Sequence, residues 1–299
     1  MSQSVISTKN LTKFYKKDPG VLDLNLEVFE GEVFGYLGPN GAGKTTTIRL
    51  FLDFIRPTSG SAEIFGRDSH TEGLKIREKI GYLPGELSIY SHLTGKEFLR
   101  YMASLRGGAD WEFIGELASR LKSDLSKGMG SMSHGNKQKI GLIQAFMHQP
   151  ELLILDEPTM GLDPLVQQEF YKMVREVKRD GRTVFLSSHI MPEVERICDR
   201  VGIIRRGKMV AVEKIVDLKE RRLRHLEIHF AEDLTPEAFE GVPGIYDVQV
   251  QGKILECSVS GSMDPLIKRI SNFEVLNILS HEPSLEEVFL TYYSGDGHD

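Results

Sequence analysis

Residues Gly38 to Thr45 read G-P-N-G-A-G-K-T and match the phosphate-loop pattern G-x-x-x-x-G-K-[ST] at every fixed position. Glycines in such a loop let the backbone wrap around phosphates and turn its N–H groups inward. Lys44 adds a positive charge for the outer phosphates, and Thr45 adds a hydroxyl for Mg²⁺. The apolar stretch Val33–Leu37 before the loop predicts a buried strand, and Thr45–Asp53 after it predicts a helix, which argues against a chance glycine-rich turn. We therefore predict that a nucleoside triphosphate is bound by Gly38, Pro39, Asn40, Gly41, Ala42, Gly43, Lys44, Thr45 and Thr46.

Two adjacent carboxylates follow another apolar run. Leu152–Leu155 predicts a buried strand, and Asp156 and Glu157 emerge at its C-terminal end, where ligands bind in open parallel sheets. Asp156 can hold Mg²⁺, and Glu157 can act as the general base for an attacking water. Solvated acids at a strand end are the alternative, which the sequence D-E-P-T in a chain with a phosphate loop disfavours.

A histidine and a tyrosine complete the candidate site. His189 follows the predicted strand Thr183–Leu186, so a neutral imidazole there can bridge the γ-phosphate and the catalytic water. A structural histidine is the other interpretation. The aromatic face of Tyr15 can stack on adenine, although an ordinary core or surface tyrosine also fits the sequence.

Composition limits the classes of function. The chain has 299 residues, 40% hydrophobic and 27% charged, which is typical of a globular protein of one or two domains. The net charge of −6 disfavours nucleic acid as a main partner. No apolar run approaches the roughly 18 residues of a membrane-spanning helix, and the N-terminus lacks the features of a secretion signal. Cys198 and Cys257 have no metal-type spacing, so we expect reduced thiols in a cytosolic protein.

Strand and helix patterns alternate along most of the chain, which predicts an α/β fold with a mainly parallel core sheet and strands in the N-terminal stretch Val5–Val28. Pro57–Gly60 predicts a turn, and residues 86–147 a helical insertion. We place a domain boundary after residue 221 and a small α+β domain at 222–299. Its predicted strands are Leu226–Phe230, Val248–Val250 and Ile254–Val259, and its predicted helices are Pro236–Phe239, Pro265–Ser271 and Leu285–Tyr292.

Together, these motifs resemble the ATP-binding subunit of an ABC transporter over about residues 5–220. The resemblance implies a P-loop NTPase cassette with antiparallel N-terminal strands, with ATP and Mg²⁺ as ligands. It makes Tyr15 the adenine-stacking aromatic, Asp156 and Glu157 the end of the Walker B strand, and His189 the switch histidine. Asp163, in Gly161-Leu162-Asp163, matches the D-loop.

The family's signature motif, usually L-S-G-G-Q, occurs here as Met132-Ser133-His134-Gly135-Asn136. In the family this segment faces the γ-phosphate held by a second cassette, so the resemblance assigns nucleotide contacts to Ser133, Gly135 and Asn136. One chain carries one cassette, which implies a dimer, either of identical chains or with a related cassette.

Two positions depart from the family pattern. His134 replaces a glycine, and it either adds charge near the phosphate when protonated or turns to solvent. Gly85 stands where the family commonly has a glutamine that relays to the membrane subunit. The following residue, Glu86, either takes over part of that role or leaves coupling to the loop backbone.

The resemblance implies an ATPase on the cytoplasmic face of the membrane, attached through a polytopic permease. The C-terminal sequence P-S-L-E-E-V-F resembles cassettes of exporters for drugs, antibiotics or lipid-like molecules, although a generic helix also fits it. Export is therefore our expected function. The alternatives are an import-coupled cassette, a non-transport ABC ATPase acting on ribosomes or DNA, and a cassette that does not hydrolyse ATP. Retained Lys44, Asp156, Glu157 and His189 argue against the last.

Overall fold

A computed structural model of the chain describes residues 3–87, 90–220 and 224–281. The chain divides into two compact units, residues 1–213 and 214–299. The boundary predicted after residue 221 falls in a short stretch, 221–223, outside the described residues. The described helices include none long and apolar enough to span a bilayer.

The first unit contains ten strands and seven helices in its described residues. The strands are β1 (Ser4–Tyr15), β2 (Asp18–Phe29), β3 (Val33–Leu37), β4 (Ser59–Ile64), β5 (Arg67–Asp68), β6 (Ile80–Leu83), β7 (Leu152–Asp156), β8 (Thr183–Ser188), β9 (Arg200–Arg205) and β10 (Lys208–Lys214). The helices are α1 (Lys44–Phe51), α2 (Gly73–Glu78), α3 (Gly95–Ser104), α4 (Trp111–Arg120), α5 (His134–Phe146), α6 (Pro164–Arg179) and α7 (Met191–Ile197).

The core sheet has six strands in the order β10-β9-β3-β8-β7-β6. β3 pairs in parallel with β8 and β9, and β7 pairs in parallel with β6 and β8. Every residue of β3, β7 and β8 is buried, as expected for strands covered on both faces. The predicted mainly parallel sheet is confirmed, and it brings the C-terminal ends of β3, β7 and β8 to one edge.

A second sheet holds the N-terminal strands in the order β2-β1-β4-β5, with antiparallel pairing throughout, as predicted. The prediction of a turn at Pro57–Gly60 was wrong in part, because β4 already begins at Ser59. Gly60 has φ +77°, and a Cβ there would lie 2.2 Å from the carbonyl oxygen of Asn10. Close approach of β1 therefore explains this glycine.

Helices α3, α4 and α5 lie between β6 and β7, as the predicted helical insertion requires. Each begins at a residue whose side chain caps the helix. Thr94 and Glu97 form a reciprocal capping box at α3, Asp110 caps α4, and Ser133 caps α5. The signature segment therefore starts a helix, as its sequence predicts.

The second unit contains α8 (Ile215–Glu220), β11 (Arg224–Phe230), β12 (Ile245–Gln251), β13 (Ile254–Val259), α9 (Asp264–Ile270) and β14 (Val275–His281). Its antiparallel sheet has the order β12-β13-β11-β14, and Pro236–Phe239 forms a 3₁₀ turn. The small α+β fold was predicted, but β14 was not. The predicted helix Leu285–Tyr292 and the P-S-L-E-E-V-F sequence lie outside the described residues. Cys198 and Cys257 are buried free thiols.

Candidate functional site

The phosphate loop joins the end of β3 to the start of α1. Gly41 and Gly43 adopt φ +78° and +111°, conformations that favour glycine. A Cβ on Gly43 would also lie 2.4 Å from the carbonyl oxygen of Gly20. The loop can therefore fold closely around the N-terminus of α1, where free N–H groups favour an anion.

Lys44 is the charged centre of this loop. It is only 6% exposed, and its Nζ donates to the carbonyl oxygens of Gly38 at 2.6 Å and Pro39 at 3.2 Å. The same Nζ lies 3.1 Å from Oε1 of Glu157. A buried ammonium needs such partners, and the pairing links the phosphate loop to the end of β7.

The hydroxyl of Thr45 donates to Oδ2 of Asp156 at 2.7 Å, and the hydroxyl of Ser187 donates to Oδ1 at 2.5 Å. Asp156 is 1% exposed, so its carboxylate is held in place at the buried end of β7. The structure thus brings together the two residues that were predicted to hold Mg²⁺. Hydroxyl and carboxylate oxygens are ligands that Mg²⁺ prefers, so these residues fit the ion.

Glu157 follows β7 with φ +49°, an uncommon left-handed conformation for a residue with a side chain. Its Oε2 lies 2.8 Å from Nδ1 of His189. Its Oε1 is buried and makes no hydrogen bond, so the ammonium of Lys44 compensates it as an ion pair. The two predicted catalytic residues are therefore in direct contact, at the same edge of the sheet as the phosphate loop.

A second buried acid supports the turn that carries His189. Glu193 on α7 is 4% exposed, and its Oε2 accepts a hydrogen bond from the Ser188 hydroxyl at 2.7 Å. That hydroxyl also accepts from the backbone N–H of Ile190 at 3.0 Å. Burial raises the pKa of the Glu193 carboxyl, the bond from Ser188 opposes this, and the charge of Glu157 adds to the rise.

A cavity of 350 Å³ lies over the phosphate loop. The ring of Tyr15 is 44% exposed at this cavity and packs on Gly20, where a Cβ would lie 2.9 Å from the ring. The cavity is lined by Tyr15, Gly20, Pro39, Asn40, Gly41, Ala42, Gly43, Lys44, Thr45, Thr46 and Glu157. Gly38 is the one predicted loop residue outside this lining. Its carbonyl oxygen accepts a hydrogen bond from Nζ of Lys44.

The remaining predicted residues form a second cluster, which does not line this cavity. Ser133 accepts a hydrogen bond from the N–H of Asn136 at 3.4 Å. Gly135 packs so closely on the backbone of Gly161 that a Cβ would lie 2.2 Å from its carbonyl oxygen. Asp163 accepts from the N–H of Val166 at 3.0 Å, a bond that lowers the pKa of its carboxyl. The signature segment and the D-loop therefore meet each other within one chain.

The two departures from the family pattern have clear positions. His134 is exposed, and its Nδ1 lies 2.8 Å from where a Cβ on Gly161 would be, so the ring lies over the D-loop. A Cβ on Gly85 would lie 3.2 Å from Oδ2 of Asp156, so residue 85 is next to the predicted metal ligand. Glu86 is exposed and lines a different cavity, of 480 Å³.

Comparison with known proteins tests the resemblance to the ATP-binding subunit of an ABC transporter. Residues 21–160 match the family model described as "ABC transporter". A bacitracin transport ATP-binding protein from Bacillus licheniformis is 36% identical over 98% of both chains. The chain belongs to the ABC transporter family. A linearmycin resistance ATP-binding protein from Bacillus subtilis is 32% identical, with 96% of this chain and 97% of the relative covered. The dimeric structure of a bacterial ABC transporter cassette superposes with a TM-score of 0.65 at 24% identity, covering 70% of this chain and 98% of that one.

This ABC cassette binds ATP and is an ATPase. Sequence reasoning identified Lys44, Asp156, Glu157 and His189 but missed four residues around them. Ser187 and Ser188 precede His189 directly, and Glu193 lies one helical turn beyond it. Gln138 lies on the helix that the signature segment begins, and its side chain contacts the backbone of Glu157. Their nearness to the recognised motifs is the one signal in the sequence, because serine and glutamine are common in any helix or strand.

Proposed function

We propose that this ABC cassette hydrolyses ATP to drive a membrane permease that exports an antibiotic or a similar drug or lipid-like molecule. The observation that carries hydrolysis is the Glu157 carboxylate, which lies between Lys44 at 3.1 Å and His189 at 2.8 Å. The full-length similarity to bacitracin and linearmycin ATP-binding proteins supports the class of cargo.

The ion pair between Lys44 and Glu157 suggests how nucleotide binding prepares the site. Phosphate oxygens entering the loop compete for the ammonium of Lys44, and this frees the carboxylate of Glu157 to accept a hydrogen bond from water. His189 remains within hydrogen-bonding distance of the carboxylate, so its ring can hold Glu157 and the γ-phosphate in position relative to each other.

Hydrolysis then proceeds by in-line displacement. The water oxygen forms a bond to the γ-phosphorus, and Glu157 takes a proton from that water. The bond from the γ-phosphorus to its bridging oxygen breaks, and ADP leaves with the electron pair. The products are ADP and inorganic phosphate, and the proton passes from Glu157 to the phosphate or to solvent.

We assign Mg²⁺ to Thr45 and Asp156, whose oxygens meet at 2.7 Å beside the phosphate loop. When bound, the ion neutralises charge on the transferred phosphoryl group. Ser187 holds the second oxygen of Asp156, which keeps the carboxylate oriented.

A second cassette completes the site in this proposal. Ser133, Gly135, Asn136 and Asp163 do not line the cavity of the same chain, so their predicted nucleotide contacts require a partner. The similar solved cassette is dimeric, which supports this arrangement. ATP would then lie between the phosphate loop of one cassette and the signature segment of the other.

The 480 Å³ groove beside Glu86 is our proposed contact with the permease. It combines aromatic side chains, including Phe54 and Tyr90, with the guanidinium groups of Arg49 and Arg77. Phe54 is 54% exposed and Tyr90 44% exposed, so the groove presents apolar surface to a partner. Through this contact the cassette would lie on the cytoplasmic face of the membrane.

The test is expression in a bacitracin-sensitive host, together with the permease that co-purifies from membranes of the source organism. Wild-type cassette should raise the bacitracin or linearmycin concentration that the host survives. Glu157→Gln should abolish that protection while ATP still binds. Increased drug sensitivity would favour import, and purification with ribosomes or DNA but no membrane protein would contradict the proposal.

A further inference from the structure

The backbone at Glu157 is in an uncommon conformation. Its φ of +49° lies in the left-handed region, which is unfavourable for a residue with a side chain. The conformation turns the carboxylate toward Lys44 and His189, so whatever holds this peptide also aims the proposed base.

Side chains from two elements hold that residue's backbone. The N–H of Glu157 donates to the hydroxyl of Ser187 on β8 at 3.1 Å. On the other side, Nε2 of Gln138 donates to the carbonyl oxygens of Glu157 at 3.1 Å and Pro158 at 3.2 Å. Gln138 is 2% exposed, so its amide has little access to water in place of these carbonyls.

Gln138 belongs to a face of α5 that contacts the segment between Glu157 and Asp163 at several points. Gly135 packs on Gly161, and Nζ of Lys139 lies 3.6 Å from Oδ2 of Asp163. Positions 135, 138 and 139 are three and four residues apart, which places them on one side of a helix. The helix that begins with the signature segment therefore contacts both ends of the segment that Glu157 begins.

We propose that Gln138 is a positioning residue, whose amide fixes the left-handed peptide at Glu157 and links the signature helix to the proposed catalytic base. This inference rests on the proposed function, in which the signature segment of each cassette meets the nucleotide of its partner.

Gln138→Met tests this in the full chain bound to its permease, because methionine has a similar length but no amide donor. We expect kcat for ATP to fall between about tenfold and a hundredfold, the loss typical of a reacting group displaced by ~1 Å. The KM for ATP should stay unchanged, since the phosphate loop is intact. Gln138→Asn keeps an amide, but its side chain is too short to reach the two carbonyl oxygens, so kcat should again fall while the KM stays unchanged. This second variant also keeps the test valid if Gln138→Met misfolds.

Gln167→Met is the matched control. The Gln167 amide donates to the carbonyl of Leu162 at 3.3 Å, in the same segment but away from Glu157, so this variant should keep wild-type kcat. In a Glu157→Gln background, adding Gln138→Met should cause no further loss of the residual rate, because both changes act on one group.

Wild-type kcat in both Gln138 variants would overturn the inference, as would a rise in KM that accounts for the whole loss. A double variant whose loss of kcat equals the product of the two single losses would also overturn it. Absence of ATPase activity in the wild-type complex would instead contradict the proposed function, so the two failures are distinguishable.

Discussion

Both units of this chain bring a serine, a histidine and a carboxylate close together, but the two groups have different surroundings. In the cassette, the carboxylate of Glu157 contacts His189 at 2.8 Å and Lys44 at 3.1 Å, and its backbone N–H donates to the Ser187 hydroxyl at 3.1 Å. In the second unit, the hydroxyl of Ser258 lies between Nδ1 of His225 at 2.8 Å and Oδ2 of Asp247 at 3.4 Å.

The position of each group in its sheet decides what it can do. Glu157 and His189 follow the ends of adjacent parallel strands beside a phosphate loop. Ser258 lies on β13, which is paired on both sides with β11 and β12. The cavity of 380 Å³ beside Ser258 is lined by the carboxylates of Glu227, Asp247 and Glu256, with no lysine or arginine among its described lining residues, which disfavours a phosphate. The same residue types therefore suit catalysis in one unit and sheet packing in the other.

The largest expected difference comes from one matched pair of histidine variants. His189→Ala should lower kcat for ATP by about a hundredfold, the loss expected when a reacting group such as Glu157 is displaced by ~1 Å. His225→Ala should leave kcat unchanged, because its ring contacts Ser258 and not a nucleotide group. Steady-state ATPase assays on the permease complex measure both.

Equal losses in the two variants would remove the distinction between the groups. If His189→Ala kept full activity, the contact with Glu157 would be structural, as the alternative interpretation from the sequence allows.

Much of the cassette was predictable because its motifs lie at places where local sequence and sheet topology agree. The apolar runs before Gly38 and Asp156 indicated buried strands, and strand ends of a parallel sheet meet at one edge. That reasoning predicted that Thr45, Asp156, Glu157 and His189 lie at the ligand-binding edge of the sheet, and their direct contacts came only from the structure. The nucleotide contacts predicted for the signature segment stay a prediction, since they involve a second chain.

The features that escaped prediction depend on residues distant in sequence. Gly60 is required by the carbonyl of Asn10, and the left-handed peptide at Glu157 is held by Gln138 and Ser187. β14 lacks a clean alternation of apolar and polar residues, so its pairing with β11 supplies the missing information.

A smaller effect, dependent on pH, should distinguish Glu193 from exposed acids. Burial raises its pKa in the folded cassette, so its contribution to the free energy of unfolding is complete below the unfolded pKa of about 4.3. That contribution is lost as the pH rises through the folded pKa. Glu193→Gln removes the titration, so the variant should gain stability relative to wild type with rising pH, on the order of 1.4 kcal/mol per unit of pKa difference.

Urea unfolding of both proteins from about pH 4.5 to pH 8 measures this difference, because that interval begins near the ordinary pKa of a glutamate and extends above it. Ser188→Ala keeps the carboxyl but removes a 2.7 Å hydrogen bond that lowers the pKa of Glu193, so its stability should depend on pH more strongly than that of wild type. A stability difference between Glu193→Gln and wild type that stays constant with pH would contradict the linkage.

The smallest effect is expected at Ser258. Ser258 is 1% exposed, and its hydroxyl makes hydrogen bonds to His225 and Asp247. Ser258→Ala removes these bonds and should therefore lower the unfolding free energy of the second unit by about 1 kcal/mol. ATP turnover should not change, because no part of this group lines the nucleotide cavity. Hydrogen exchange on β11 and β13 locates the stability loss, and the ATPase assay checks the turnover. A fall in kcat with an unchanged exchange pattern would mean that the Ser258 group acts on catalysis, and the contrast between the two units would then be wrong.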